Sequence, residues 1–115
     1  MADDSRAGRN GGAEPAAARP ILIAVDDDAD VLRAVTRDLR TRYGDRYRVI
    51  SASSGETALD TLREIEQRNN GSGADLVALL LADQRMPGMC GTDFLEQAKS
   101  IAPNAKRVQI GRAHV

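Results

Sequence analysis

Two hydrophobic periods alternate along this chain from Ile21 onward. Ile21-Leu22-Ile23-Ala24-Val25 is an unbroken apolar run that stops at Asp26-Asp27-Asp28. A short run that is apolar on both faces predicts a central parallel strand. Val31, Leu32, Val35 and Leu39 then recur at helical spacing, behind acidic residues that suit a helix N-terminus, and Gly44 is the expected stop. Tyr47 to Ala52 predicts a second strand. Ser53 and Glu56 have capping-box spacing, and Ala58, Leu59, Leu62 and Ile65 form the stripe of a second helix.

Asn69-Asn70-Gly71-Ser72-Gly73 has turn chemistry. Leu76 to Ala82 is the third predicted strand, apolar throughout and ending at Asp83. Met86-Pro87-Gly88-Met89 predicts a turn, because Pro87 has no amide donor and Gly88 tolerates positive φ. Phe94, Leu95, Ala98 and Ile101 mark a third helix, closed by Pro103-Asn104, and Arg107 to Ile110 begins a fourth strand. The order βαβαβαβ predicts an α/β fold with a parallel sheet, right-handed crossovers and helices on both faces.

Residues 1–19 contain no large apolar side chain after Met1, and the expectation there is a disordered tail. They lack the apolar segment of a secretory signal. At 115 residues and 42% apolar, the rest has enough material for one domain with a real core. Sixteen Lys+Arg against seventeen Asp+Glu leave no basic excess, so neither nucleic-acid nor membrane binding is expected. The only aromatics are Tyr43, Tyr47 and Phe94, too few for a base-stacking platform. A single cysteine, Cys90, excludes an internal disulfide and any zinc-type cysteine set. The composition predicts a cytoplasmic protein.

Two predicted strands end in carboxylates, at Asp26-Asp27 and at Asp83. Open α/β sheets collect ligands beyond the carboxyl ends of their strands. If the two strands are neighbours, three carboxylates converge, and a hard cation such as Mg²⁺ suits that oxygen-rich set. Asp28 and Asp30 fit a structural role at the helix start, with Asp28 as the N-cap. Arg33, Arg37, Arg40 and Arg48 form a basic stretch interrupted by Asp38 and Asp45, which reads as a solvated face. Cys90 reads as a spectator, and Tyr43 and Tyr47 as cover for a helix end or sheet edge.

Ile-Leu-Ile-Ala-Val-Asp26-Asp27-Asp28, followed two βα units later by Leu-Leu-Leu-Ala-Asp83-Gln-Arg-Met86-Pro87-Gly88-Met89-Cys-Gly91, resembles a bacterial response-regulator receiver domain. The resemblance runs from about Pro20 to Val108. It implies a flavodoxin-like, doubly wound (βα)5 fold cut short after about the fourth strand. It also implies that Asp83 is the phosphoacceptor for a sensor histidine kinase or phosphotransfer protein. Asp27 and Asp83 would bind Mg²⁺ directly, Asp26 through water, and the backbone carbonyl of Arg85 would complete the protein ligands. Met86, Pro87 and Gly88 would shape the loop that aims that carbonyl. The module would catalyse its own phosphoryl uptake without turning over a separate substrate, and its output domain is not in these 115 residues.

The chain departs from that pattern at its C-terminal end. The family's Thr/Ser after the fourth strand would fall near Gly111, and its Lys after the fifth strand has no counterpart, since Lys99 and Lys106 come too early. Residues 110–115 can be encoded by ATC GGA AGA GCA CAC GTC, the start of a common sequencing-library adapter. The reading is therefore a partial receiver at 20–109 with a non-native tail at 110–115, and His114 carries no function. Two rivals stand beside it. A haloacid-dehalogenase-like phosphohydrolase wants Asp-x-Asp-x-Thr/Val, whereas Asp26 to Asp30 puts Asp in the last place. A pseudo-receiver used only for docking would have no need of Asp26, Asp27 and Asp83.

Overall fold

The computed structural model describes residues 19–69 and 76–110. In chain order the elements are β1 (Ile21–Val25), α1 (Ala29–Tyr43), β2 (Arg48–Ala52), α2 (Gly55–Asn69), β3 (Val77–Asp83), α3 (Gly91–Ile101) and β4 (Lys106–Ile110). The expected tail, apart from Arg19, and residues 111–115 lie outside the described residues. Arg19 itself is anchored, its guanidinium donating to the Gly44 carbonyl at 2.9 Å.

All strand pairings are parallel, in the order β2-β1-β3-β4. This is the flavodoxin-like, doubly wound α/β arrangement expected from the sequence. The chain moves outward from β1 to β2 and then crosses back over β1 to β3. That reversal places α1 on one face of the sheet and α2 and α3 together on the other.

On the α2/α3 face the central strands β1 and β3 are covered. Ile21, Ile23, Val25, Leu80 and Ala82 from the sheet pack with Leu59, Leu62 and Ile65 of α2 and Phe94 and Ala98 of α3. Phe94, Leu62, Ile65 and Leu80 are fully buried. Burying such a side chain stabilises the fold by about 1.5–3 kcal/mol.

The α1 face is only half covered. Among the described residues, α1 packs on β1 and β2 but on neither β3 nor β4. Leu79 and Leu81, which the unbroken apolar run places in a fully buried strand, are therefore half-buried. Every residue of β4 is exposed. An open groove of about 720 Å³ runs between α1 and this side of β3 and β4, walled by Leu22, Leu39, Leu79, Leu81 and Val108.

Several boundaries differ by a residue from the sequence reading, each for a local reason. The second helix is capped by Ser54, whose hydroxyl accepts from the Thr57 amide at 3.1 Å; the expected Ser53 cap is not used. Ile110, which the strand pattern includes and the adapter reading would exclude, is the last residue of β4 and sits in register with Asp83. Leu76, expected to open the third strand, lies just before it and is exposed. Its carbonyl accepts from the Ile21 amide at 2.8 Å. Tyr43, the last residue of α1, and Tyr47 meet edge to face, with ring centroids 6.1 Å apart.

Candidate functional site

β1 and β3 are neighbours, with Val25 in register with Ala82. The next residues, Asp26 and Asp83, therefore emerge side by side at the carboxyl edge of the sheet. Asp26, Asp27 and Asp83 each place one carboxylate oxygen within 4.8 Å of the others. Asp26 and Asp83 are buried, with 7% and 3% exposure, while Asp27 faces solvent. Two buried acids and one exposed acid form a cup with one open side.

Local hydrogen bonds hold the cup. The Asp28 amide donates to Asp26 Oδ1 at 2.9 Å, which fixes that carboxylate against the strand end. The Asp26 amide is tied in turn to the Ala52 carbonyl on β2 at 3.2 Å. Asp28 takes the N-cap role expected of it, accepting from the Asp30 and Val31 amides at 3.0 and 3.2 Å. Asp30 pairs with Arg33 on the exposed side of α1. The acidic run thus divides its labour, with Asp26 and Asp27 in the cup and Asp28 and Asp30 serving the helix.

The loop after Asp83 has the shape its sequence demands. Gly88 has φ of +81°, a region that side-chain-bearing residues rarely occupy. The Met89 amide bonds back to the Pro87 carbonyl at 2.9 Å, closing a tight turn. Met86 is buried in the α2/α3 core and pins the loop from below. Arg85 is exposed, two residues beyond Asp83. Cys90 is half-buried before α3 and makes no side-chain cap.

The sequence reading missed a polar brace beneath the loop. Gln109 of β4 donates to Thr92 Oγ1 at 3.0 Å, and the Thr92 hydroxyl donates to Gln84 Oε1 at 3.1 Å. The Gln84 amide also reaches the Ile110 carbonyl at 3.3 Å. These residues join the segment after Asp83 to the end of β4. The usable signal was Gly91, a poor helix former at the first position of α3, which marks a close backbone approach.

The donor set is all oxygen, as Mg²⁺ prefers. A spread of up to 4.8 Å slightly exceeds the ~4.2 Å spanned by two oxygens on opposite sides of Mg²⁺. The acidic cluster is compatible with a bound Mg²⁺ ion.

No protein-family model matches this chain, and no curated protein matches it at a significant level. Solved structures do. A response regulator receiver domain protein from Clostridium thermocellum is 26% identical, with a TM-score of 0.59, over 81% of this chain and 64% of that one. A response regulator receiver domain protein from Methanospirillum hungatei is 27% identical, with a TM-score of 0.58, over 78% and 63%. A structure described as an adenylate cyclase from Rhodopirellula baltica is 27% identical, with a TM-score of 0.63, over 79% and 58%. This chain thus spans 58% to 64% of those three. Parallel strand order, acidic strand ends and these neighbours together define the class: the chain has the fold of response-regulator receiver domains and resembles them in sequence. Among the described residues no helix is long and apolar enough to cross a membrane.

Proposed function

We propose that this receiver takes a phosphoryl group onto Asp83 from the phosphohistidine of a sensor histidine kinase or phosphotransfer protein. The observation that carries the reading is the meeting of Asp26, Asp27 and Asp83 within 4.8 Å at the ends of adjacent strands. A carboxylate oxygen of Asp83 attacks phosphorus in line, and the phosphorus–nitrogen bond breaks. Its electron pair returns to the imidazole, which takes up a proton, and Asp83 holds an acyl phosphate.

Asp27 and Asp83 would hold Mg²⁺ directly, Asp26 would hold it through water, and the Arg85 backbone carbonyl would be the remaining protein ligand. The ion, when bound, neutralises charge on the carboxylates and the phosphoryl oxygens. The protein's share of the work is positional. Asp28 fixes Asp26, and the Pro87–Gly88 turn with Met86 beneath it fixes the Arg85 segment. The same geometry disfavours a phosphohydrolase of the Asp-x-Asp type. The carboxylate of Asp28, which would have to serve as that family's acid, is committed to capping α1. This domain therefore carries a phosphoryl group as a signal and turns over no separate substrate.

Intact-protein mass spectrometry tests the reading. With Mg²⁺ and acetyl phosphate, the domain completed with a fifth strand and its flanking helices should gain one phosphoryl group, and its Asp83→Asn variant should gain none. Asparagine keeps the shape of the side chain but removes the anionic nucleophile. Equal uptake by both proteins would place the phosphoacceptor elsewhere.

A further inference from the structure

The basic stretch of α1, which sequence alone reads as a solvated face, lines a second groove that includes none of the three cup aspartates. Arg33, Arg37 and Arg40 stand at i, i+4 and i+7, so they share one side of the helix. Together they span about 10 Å of its axis. The groove lies between α1 and β2, the edge strand opposite β4, and holds about 450 Å³, within the range of small-ligand sites. Ser51 of β2 stands on its far wall and Thr41 extends the helix wall. Among the described residues no acidic side chain lines it.

A second feature of the groove points to a ligand. Thr36 lies among these arginines with only 5% exposure, and its hydroxyl oxygen has no hydrogen-bond partner. A helical threonine usually satisfies that hydroxyl on the carbonyl one turn back. Leaving it unsatisfied in the interior is costly, and an acceptor lodged in the groove would relieve it. The hydroxyl oxygen is shielded from solvent, so contact requires neighbouring side chains to swing aside. Exposed side chains make such rotamer changes within nanoseconds.

The arginines are available for this. Among the described residues Arg33 is held only by Asp30, in a pair whose side chains are 71% and 87% exposed, and an exposed pair exchanges at little cost. Arg40 donates to the Val49 carbonyl at 3.3 Å, a long bond that ties its guanidinium over the groove and leaves its other donors open. Leu32 is the only large apolar side chain on the walls and there is no aromatic one among the described residues, so a nucleobase would find nothing to stack on.

We propose that the α1–β2 groove binds a linear polyphosphate chain, with Arg33, Arg37 and Arg40 along the phosphates and Thr36 donating to one phosphate oxygen. Arginine is suited to this because its planar fork meets phosphate oxygens two at a time. The site is independent of the phosphoacceptor reading, because it uses none of the aspartates and needs no Mg²⁺.

Calorimetric titration of the 115-residue chain with inorganic tripolyphosphate, in Mg²⁺-free buffer, tests it. One equivalent should bind. Arg37→Gln should weaken binding about tenfold, the usual scale for a charge-assisted hydrogen bond. Arg42→Gln, which removes the same charge outside the groove, should change it less than about twofold. Thr36→Val, of nearly equal shape, should weaken binding severalfold while leaving the melting temperature unchanged or higher. ATP should bind no more tightly than tripolyphosphate. Equal losses in Arg37→Gln and Arg42→Gln would reduce the effect to net charge and overturn the site. Unchanged affinity in Thr36→Val would remove the hydroxyl from it. ATP binding more than about tenfold tighter, or tighter binding of an oligoglutamate peptide, would overturn the ligand class.

Discussion

The backbone of Asp83 occupies the space where a side chain at position 91 would begin. A Cβ built on Gly91 would lie 3.0 Å from the Asp83 carbonyl carbon and closer still to its oxygen. Both atoms are main chain, so no rotamer change relieves the contact. The Gly91 amide also donates to the Gln84 carbonyl at 3.1 Å, which locks the two segments together. Gly91→Ala should therefore lower stability by about 1–3 kcal/mol, the usual cost of overpacking, and should slow phosphoryl uptake at Asp83. Urea melts with a parallel acetyl phosphate time course measure both. An alanine variant with wild-type midpoint and uptake would show that the loop is free to move away.

Metal binding gives the second prediction. Asp27 is the exposed member of the cup, so its removal should cost affinity without disturbing the core. Mg²⁺ titration followed by amide chemical shifts should show weaker binding by Asp27→Ala than by the unmodified chain, with an unchanged thermal melt. Identical affinities would remove Asp27 from the ligand set.

The two helix caps make a matched pair of stability tests. Asp28 caps α1 and Ser54 caps α2, each through its own side-chain oxygen. Asp28→Ala and Ser54→Ala should each cost about 1 kcal/mol, whereas Ser53→Ala should cost almost nothing. Asp28→Ala should leave phosphoryl uptake near its original level, because the amide that holds Asp26 is retained. If Ser53→Ala and Ser54→Ala destabilise equally, the cap is shared and the assignment to Ser54 is wrong.

These tests also mark the limit of what the residues disclose by themselves. The apolar runs at Ile21 and Leu76, each ending in aspartate, carry both the parallel sheet and the acidic cup, because strand order follows from alternating elements and right-handed crossovers. The Asp28 cap was legible for the same local reason. Ser53 and Ser54 were not distinguishable, since either hydroxyl satisfies the spacing and only the backbone path selects one. Gly91 against Asp83, and Gln109 against Thr92 and Gln84, join residues distant in sequence. Leu79 and Leu81 show the deeper difficulty. Periodicity records which positions are apolar, not what covers them, and on the α1 side of β3 nothing among the described residues does.

That uncovered face gives the last prediction. Leu76, Val108 and Ile110 are 55%, 41% and 43% exposed, and Leu79 and Leu81 beside them are half-buried. Among the described residues β4 pairs on one side only, with β3, so its other edge presents backbone donors and acceptors that no described strand meets. An apolar edge of this kind is a template for association. Each large side chain left uncovered forfeits about 1.5–3 kcal/mol of burial, and a whole domain has only about 5–15 kcal/mol of net stability. Three or four such losses are enough to loosen the fold or drive it to self-associate. The 115-residue chain should therefore bind a hydrophobic dye and sediment as more than a monomer as its concentration rises. Val108→Lys puts a charge at the centre of the edge strand and should suppress association while leaving the α2/α3 core intact. A dye-silent monomer with a sharp cooperative melt at every concentration would show that the face carries no such cost.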